Sequence, residues 1–550
     1  MSKYLVTSAL PYANGKLHIG HLAGAYLPAD IFVRFLRLSS HDVVYICGTD
    51  EHGAPISIRA EQENKTPEEI VDYFHENILN SFKTVDIDFD NFSGTAREEH
   101  HKLSQEFFLS LLKKNKINTK TTKQTFCEHD NRYLPDRYVE GECYHCHSTG
   151  ARGDQCDACG KLIDASLLIA PKCKICGNAP VIKDTQHWFL DLPAFSDQLK
   201  IWLENKPNWK ENVTKFILSW IEDGLIERAI TRDINWGVPV PLEEGKDKVL
   251  YVWFDAPIGY ISSTIEWSKK IGKPEIWKDY WLKPSTKLIH FIGKDNIPFH
   301  AIIWPAILMG QDIEYSLPYD IPANEYLTLE GEKISTSRNW AIWVEDFVKD
   351  FDSDLLRFTL ASNAPESKDA DFSWKDFQNQ VNNNLANVLG NLANRVFAFA
   401  QKNFDSVLSK PLLENPLIQI EYINEIYEAY SEFKVRKAVK LIIDLAREGN
   451  KYFNDETPWL SIKVDKEKTE PILYYCADLL RIISIILYPI IPKSMIRLRK
   501  MMNLPEINFL WHDVFNSPEK ITISDFQPLF KKIDDKEIEN QINILKEKAN

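Results

Sequence analysis

The stretch that most constrains this chain runs Pro11-Tyr-Ala-Asn-Gly-Lys-Leu-His-Ile-Gly-His21. Before it, Tyr4 to Ala9 reads as a short β-strand. After it, the apolar spacing of Leu22 to Arg37 predicts a helix. A strand, a Pro/Gly turn and a helix in immediate succession aim free backbone N–H groups and a helix dipole at one spot, which suits a phosphate. His18 and His21 lie three residues apart and so share a face of the first helical turn. Gly20 between them has no Cβ, so a flat ring or a phosphate can approach the backbone there. On its own, the stretch reads equally well as a solvated helix cap carrying two surface histidines.

Its surroundings favour a nucleotide fold. Val43 to Cys47 reads as a second strand, and helices are expected near 67–84 and 96–115. This alternation predicts an α/β fold with a doubly wound, parallel, Rossmann-type sheet over residues 1–116. Gly48-Thr-Asp-Glu-His-Gly53 follows the second strand at its carboxyl end, where such sheets bind ligands. Residues 117–236 break the pattern with short, cysteine-rich segments and read as an insertion. Strand signals return at Val249 to Trp253 and Lys287 to Ile292, which would complete the nucleotide-binding domain over 237–325. Residues 326–381 lead out of it, and the long amphipathic, glycine-poor segments of 382–550 predict an α-helical bundle.

The 550 residues carry 65 Lys and Arg against 79 Asp and Glu, a net charge of −14. Residues 381–550 balance, with 23 basic and 23 acidic side chains, so the acidic excess lies in the first part of the chain. Any nucleic acid must therefore be held by local basic groups and stacking. The most apolar run, around Leu479 to Ile491, is too short to span a bilayer and contains Arg481. With no apolar leader after Met1, the chain is expected in the cytoplasm, with no membrane partner. Seven of the nine cysteines fall between Cys127 and Cys176, which in a reducing compartment means metal rather than disulfides. Cys143-x₂-Cys146-x₉-Cys156-x₂-Cys159 supplies four thiolates at structural-zinc spacing. Four cysteines leave no open coordination position, so this Zn²⁺ is expected to be structural. A second Zn²⁺ would need Cys127, Cys173, Cys176 and either His129 or Asp130. Cys47 and Cys476 stand apart and read as buried, inert thiols.

Far downstream lies Gly331-Glu-Lys-Ile-Ser-Thr-Ser-Arg338, a lysine and three hydroxyl residues in a polar loop suited to closing on a polyphosphate. Together, His18-Ile-Gly-His21 and Lys333-Ile-Ser-Thr-Ser resemble the signature pair of class I aminoacyl-tRNA synthetases. The segments between them resemble the methionyl-tRNA synthetase family, and the match runs over nearly the whole chain. Most members have a second lysine where this chain has Thr336.

The resemblance implies roles residue by residue. His18, Gly20, His21, Lys333, Thr336 and Asp295 would bind ATP, with His18, His21, Lys333 and Thr336 acting on the reacting phosphates and Mg²⁺ on the pyrophosphate. Leu10, Tyr12, Asp50, Arg232, Trp253, Pro257, Tyr260, Ile297 and His300 would bind methionine. In that set Asp50 meets the ammonium, Arg232 the carboxylate, and the Tyr260 hydroxyl suits the sulfur. Asn391, Arg395 and Trp459 would read the anticodon of methionine tRNAs, the first two sharing a helix face at i and i+4. The chain would be a methionine–tRNA ligase acting as a monomer. Two other readings stay open from the residues: a nucleotidyl transferase or another class I synthetase sharing the nucleotide fold, and a zinc-containing RNA-binding module whose catalytic site has decayed.

Overall fold

The computed structural model describes residues 2–134, 138–152, 154–156, 158–159, 162–336, 338–524 and 526–549. Five strands, β1 (Lys3–Ser8), β2 (Asp42–Thr49), β3 (Asn91–Gly94), β4 (Thr286–Gly293) and β5 (Ala323–Asn324), form a parallel sheet in the order β5-β4-β1-β2-β3. Strand β1 is central: Lys3 is in register with Asp42 on one side and Thr286 on the other. Its side chains alternate between two cores. Tyr4 and Val6 face a core shared with the C-terminal helices, whereas Leu5 faces one built from the root of the insertion. A strand buried on both faces reads as a continuous apolar run, and Tyr-Leu-Val is one.

The chain leaves β1 towards β2 on one side, and β4 returns on the other. The crevice between the carboxyl ends of β1 and β4 is thus the switch point at which open parallel sheets take ligands. The expected helix after β1 begins differently from a simple α-helix. Leu22–Tyr26 is a π-helical turn, with Leu27 N–H reaching Leu22 O, and α1 proper runs Leu27–Leu38. Pro28 explains this. It has no N–H for the Gly24 carbonyl, which a straight α-helix would require. The segment after β4 repeats the device: Phe299–Ile303 is π-helical, Trp304 N–H meets Phe299 O, and Pro305 follows.

Helix α2 (Glu98–Lys113) precedes the insertion, whose backbone is a long antiparallel pair, Ile117–Cys127 with Val181–Leu190. The expected strand at Val249 to Trp253 is not part of the parallel sheet. Val249–Leu250 pairs antiparallel with Thr231–Arg232, and Val252–Asp255 turns into a helix that leads to α3 (Gly259–Lys270). The run is drawn out of the sheet by local partners: Leu250 N–H donates to Val238 O and Tyr251 N–H to Ile230 O. Helix α4 (Ser353–Ser362) joins the sheet to the helical part, where α5 (Asn391–Asn403), α6 (Val435–Asp455), α7 (Lys466–Ile486) and α8 (Asp535–Ala549) are the main elements. Arg481 in the apolar run is buried but paired with Asp478 at 2.7 Å and caps the Asp513 and Val514 carbonyls. Cys47 and Cys476 are fully buried, and burial pushes the Cys476 thiol up to about 12. Among the described residues no helix is long and apolar enough to cross a membrane.

Candidate functional site

His18 caps the turn after β1 in extended backbone conformation. Its Nδ1 accepts from Gly20 N–H at 3.1 Å, and its own N–H donates to His21 Nδ1 at 3.1 Å. Backbone N–H groups only donate, so both Nδ1 atoms are bare and each ring carries its proton on Nε2. The imidazoles stack with centroids 3.7 Å apart. Burial lowers both, His21 to about 4 and His18 well below its usual value with help from His21, so both are neutral at pH 7. The result is a pair of neutral N–H donors on the ring edges away from the backbone.

The segment that follows the second signature stretch docks onto the first. Ile19 N–H donates to Ile342 O and Val344 N–H to Leu17 O, both at 3.0 Å, and Lys16 pairs with Glu345 at 3.2 Å. Gly20 eases this close approach, since a Cβ there would crowd Ile334 Cδ1 and the His18 ring at 3.0 Å. The loop is a small hairpin: Thr328 pairs with Lys333, and Ser335 with Trp340. Lys333 and Thr336 are exposed, and Lys333 forms no ion pair among the described residues. Ser337 lies outside the described residues.

At the end of β4, Asp295 is exposed in a short 3₁₀ turn. A Cβ on Gly293 would come within 2.9 Å of its carboxylate, so glycine lets Asp295 fold back over the strand end. Asp50, at the end of β2, is buried. Its N–H donates to Pro11 O, and Ala13 N–H donates to its carbonyl, which ties the strand end to the Pro11–His21 turn. Burial first, then the nearby Asp255 charge, raises its carboxyl well above the usual range.

Leu10 is half-buried, Tyr12 is 39% exposed and Trp253 42%, whereas Pro257, Tyr260, Ile297 and His300 are buried. Trp253 packs on Phe299 with centroids 4.3 Å apart and on Tyr251 at 4.9 Å. The Arg232 guanidinium lies over the Tyr251 ring at 3.7 Å and donates to Thr231 O. Tyr260 Oη is 2.8 Å from His300 Nε2, and His300 Nδ1 is 3.1 Å from the Asn296 carbonyl. A carbonyl only accepts, so Nδ1 holds the proton of this neutral ring, and the Tyr260 hydroxyl donates to Nε2. The Tyr260 hydroxyl, expected beside the sulfur, thus also holds His300.

The four thiols of Cys143, Cys146, Cys156 and Cys159 converge within 4.8 Å of one another. Cys143 and Cys159 are 4.0 Å apart, and Cys146 and Cys156 are 3.7 Å apart. A tetrahedral site with metal–sulfur bonds of ~2.3 Å has edges of ~3.8 Å, so the set fits a metal ion. Cys127, Asp130, Cys173 and Cys176 form a second set: both Cys127 and Cys173 Sγ lie 3.2 Å from Asp130 Oδ2. Of the two alternatives for its fourth ligand, His129 is turned outward onto Asp130 Oδ1, so Asp130 completes the set.

In the helical part, Asn391, Arg395 and Trp459 lie on one patch. Arg395 lies over Phe453 at 4.4 Å and near Trp459 at 6.0 Å, and Trp459 is 40% exposed. Two further residues belong to it: Asn450 holds Asn391 at 3.1 Å, and Asn454 holds Arg395 at 2.6 Å. Their i, i+4 spacing on α6 was the only signal for them, and it is common on any helix. Trp343, whose backbone bridges His18, likewise carries no local signal.

A parallel sheet with stacked histidines at its switch point, and a lysine-bearing loop docked on them, defines a class I aminoacyl-tRNA synthetase. Residues 4–397 match the profile described as tRNA synthetases class I (M), and residues 414–545 that of the anticodon binding domain of methionyl tRNA ligase. The methionine–tRNA ligase of Pyrococcus furiosus is 48% identical over 98% of this chain and 76% of its own length. Those of Bacteroides fragilis (46%, over 98% and 80%) and Christiangramia forsetii (44%, over 99% and 81%) are similar throughout. The Mycobacterium tuberculosis methionyl-tRNA synthetase solved in complex with methionyl-adenylate has the same fold, with a TM-score of 0.79 over 96% of this chain and 100% of that one at 24% identity. The chain belongs to the methionine–tRNA ligase family.

Proposed function

We propose that the chain activates methionine with ATP, releasing pyrophosphate, and transfers the methionyl group to the 3′-terminal adenosine of initiator and elongator methionine tRNAs. The observation that carries this reading is that the segment carrying the Lys333 loop docks on the His18–His21 turn at the switch point of the sheet, with Ile334 against Gly20. Activation needs no enzyme nucleophile. A methionine carboxylate oxygen attacks the α-phosphorus, and the bond to the β-phosphate oxygen breaks. The two Nε2–H groups of His18 and His21 donate to phosphoryl oxygens as charge builds there. Lys333 adds a mobile positive charge, and the Thr336 hydroxyl a hydrogen bond in place of a second cation. Mg²⁺, when bound, neutralises charge on the departing pyrophosphate.

Asp295 is suited to the ribose hydroxyls. Asp50, whose carboxyl is raised by burial and by the nearby Asp255 charge, is suited to the substrate ammonium, and Arg232 to the carboxylate. Leu10, Tyr12, Trp253, Pro257, Ile297 and the Tyr260–His300 pair enclose the side chain. We assign residues 1–116 and 237–325 to the catalytic domain, 117–236 to the insertion, 326–381 to the linking segment and 382–550 to anticodon binding, in the cytoplasm. Zn²⁺ suits both ligand sets of the insertion, where thiolates without an open position give it a structural part. Asn391 and Arg395 suit the edge of an unstacked anticodon base, and Trp459 its face.

The test is ATP–pyrophosphate exchange with methionine, leucine, isoleucine, valine and cysteine in turn. Exchange with methionine alone is expected. Its absence from folded, metal-replete protein would return the weight to an RNA-binding module without catalysis.

A further inference from the structure

Behind the amino-acid pocket lies a group of titratable side chains with no part in the chemistry above. His52, Asp255 and His100 are exposed by 1%, 0% and 0%. Each comes from a different element, and their placement is not neutral. His52 follows Asp50 by two residues at the end of β2. Asp255 sits midway between Trp253 and Pro257 on the opposite wall. His100 reaches in from α2.

Asp255 Oδ2 is the hub. It lies 2.8 Å from His52 Nδ1 and 3.2 Å from His100 Nε2. The far ring edges are held as well: His52 Nε2 is 3.2 Å from His101 Nε2, and His100 Nδ1 is 3.1 Å from Ser262 Oγ. His52 thus turns Nδ1 to Asp255 and Nε2 to His101, while His100 turns Nε2 to Asp255 and Nδ1 to the Ser262 hydroxyl, which itself donates to the Gly259 carbonyl at 3.2 Å. Burial lowers His100 and His101, which keeps those rings neutral. Burial alone would raise Asp255, yet its histidine partners hold it below the usual carboxylate range. Asp255 is therefore held ionised at the hub, and the two imidazoles and the carboxylate also converge closely enough to accept a metal ion.

On the proposed methionine-activating function, we propose that Asp255 is the positioning residue of the amino-acid site. Through His52 and His100 it staples the Asp50 strand end to the Trp253–Tyr260 wall, and so sets the gap that the methionine ammonium and side chain must fill. Ser262, two residues beyond Tyr260, extends the staple along the same wall. None of these side chains belongs to the group assigned to ATP above, so the network should govern one substrate and not the other.

The experiment is steady-state ATP–pyrophosphate exchange on the full chain with both substrates varied. His52→Leu and His100→Met remove the N–H that Asp255 accepts, whereas His52→Asn and His100→Gln place an amide N–H close to the same point. The first pair is expected to raise the KM for methionine about 10-fold or more and to leave the KM for ATP within about 2-fold. The second pair should recover most of that loss. Should the apolar variants fail to fold, Ser262→Ala removes the contact to His100 and the bond to the Gly259 carbonyl and should raise the KM for methionine about 3-fold.

An unchanged KM for methionine, or equal rises for both substrates, would overturn the positioning role. So would a bound transition metal that His100→Gln releases together with activity, which would make the group a metal site. If the unaltered protein shows no methionine-dependent exchange, the proposed function itself fails. The positioning role fails alone when exchange is normal and the variants are silent.

Discussion

At the scale of single residues, this site is built from neutral histidines. His18 and His21 keep their protons on Nε2 because backbone N–H groups occupy both Nδ1 atoms. His300 is locked the other way round by the Asn296 carbonyl. Neutrality has a thermodynamic consequence. Burial lowers His300 to about 4, so in acid the unfolded chain takes up its proton before the folded one does. The sign follows: the stability contributed by keeping this ring neutral is complete above about pH 6.5 and is lost as pH falls towards 4. At pH 5 one such histidine costs roughly 2 kcal/mol. We expect the thermal midpoint to fall between pH 7 and pH 5, and His300→Gln, which retains a polar group beside Tyr260, to flatten that slope. A variant whose midpoint tracks pH as steeply as the unaltered protein would show that His300 is protonated when folded.

At the scale of elements, legibility in the sequence followed locality. The strand, turn and helix around Pro11 to His21 were readable because each feature depends on near neighbours. The Val249 to Trp253 run was misread because a short apolar run looks the same whether it joins the main sheet or pairs with Thr231–Arg232. Asn450 and Asn454 were invisible because their partners, Asn391 and Arg395, lie on another helix. The anticodon patch nonetheless makes a sharp prediction. Trp459→Ala should lower kcat/KM for tRNA in aminoacylation by about 10- to 100-fold, the equivalent of one lost base stack of ~1–3 kcal/mol, and leave ATP–pyrophosphate exchange unchanged. Equal loss in both assays would mean that the residue only supports the fold. The insertion makes another. With both ligand sets formed, elemental analysis should find two zinc ions per chain, falling to one in Cys146→Ser and to one in Cys176→Ser. One zinc in the unaltered protein would leave only the four-cysteine site standing.

At the scale of the whole molecule, the two ends of the proposed reaction must be joined, and the elements that carry them, the turn after β1 and the C-terminal helices, pack into one shared apolar core. One buried side chain joins them. Arg357 on α4, 1% exposed, meets Asp30 of α1 at 2.6 Å, just beyond the turn that carries His21. Its other N–H groups donate to the Pro489 and Ile490 carbonyls after α7 and to the Val85 carbonyl beside the sheet. Arg34 shares Asp30 at 2.8 Å and also donates to the Asp86 carbonyl, so one buried carboxylate holds two guanidinium groups. A fork of five donors suits this place, and a lysine could not fill it. Arg357→Met would leave Asp30 with Arg34 but strip several buried carbonyls of their donor, at a cost of about 3–5 kcal/mol. The loss falls where the helical part meets α1 and the sheet. Calorimetry should therefore show the single unfolding transition dividing into two, with methionine-dependent exchange largely kept and aminoacylation of tRNA reduced. A variant that unfolds in one step and charges tRNA at the unaltered rate would show that the junction is held elsewhere.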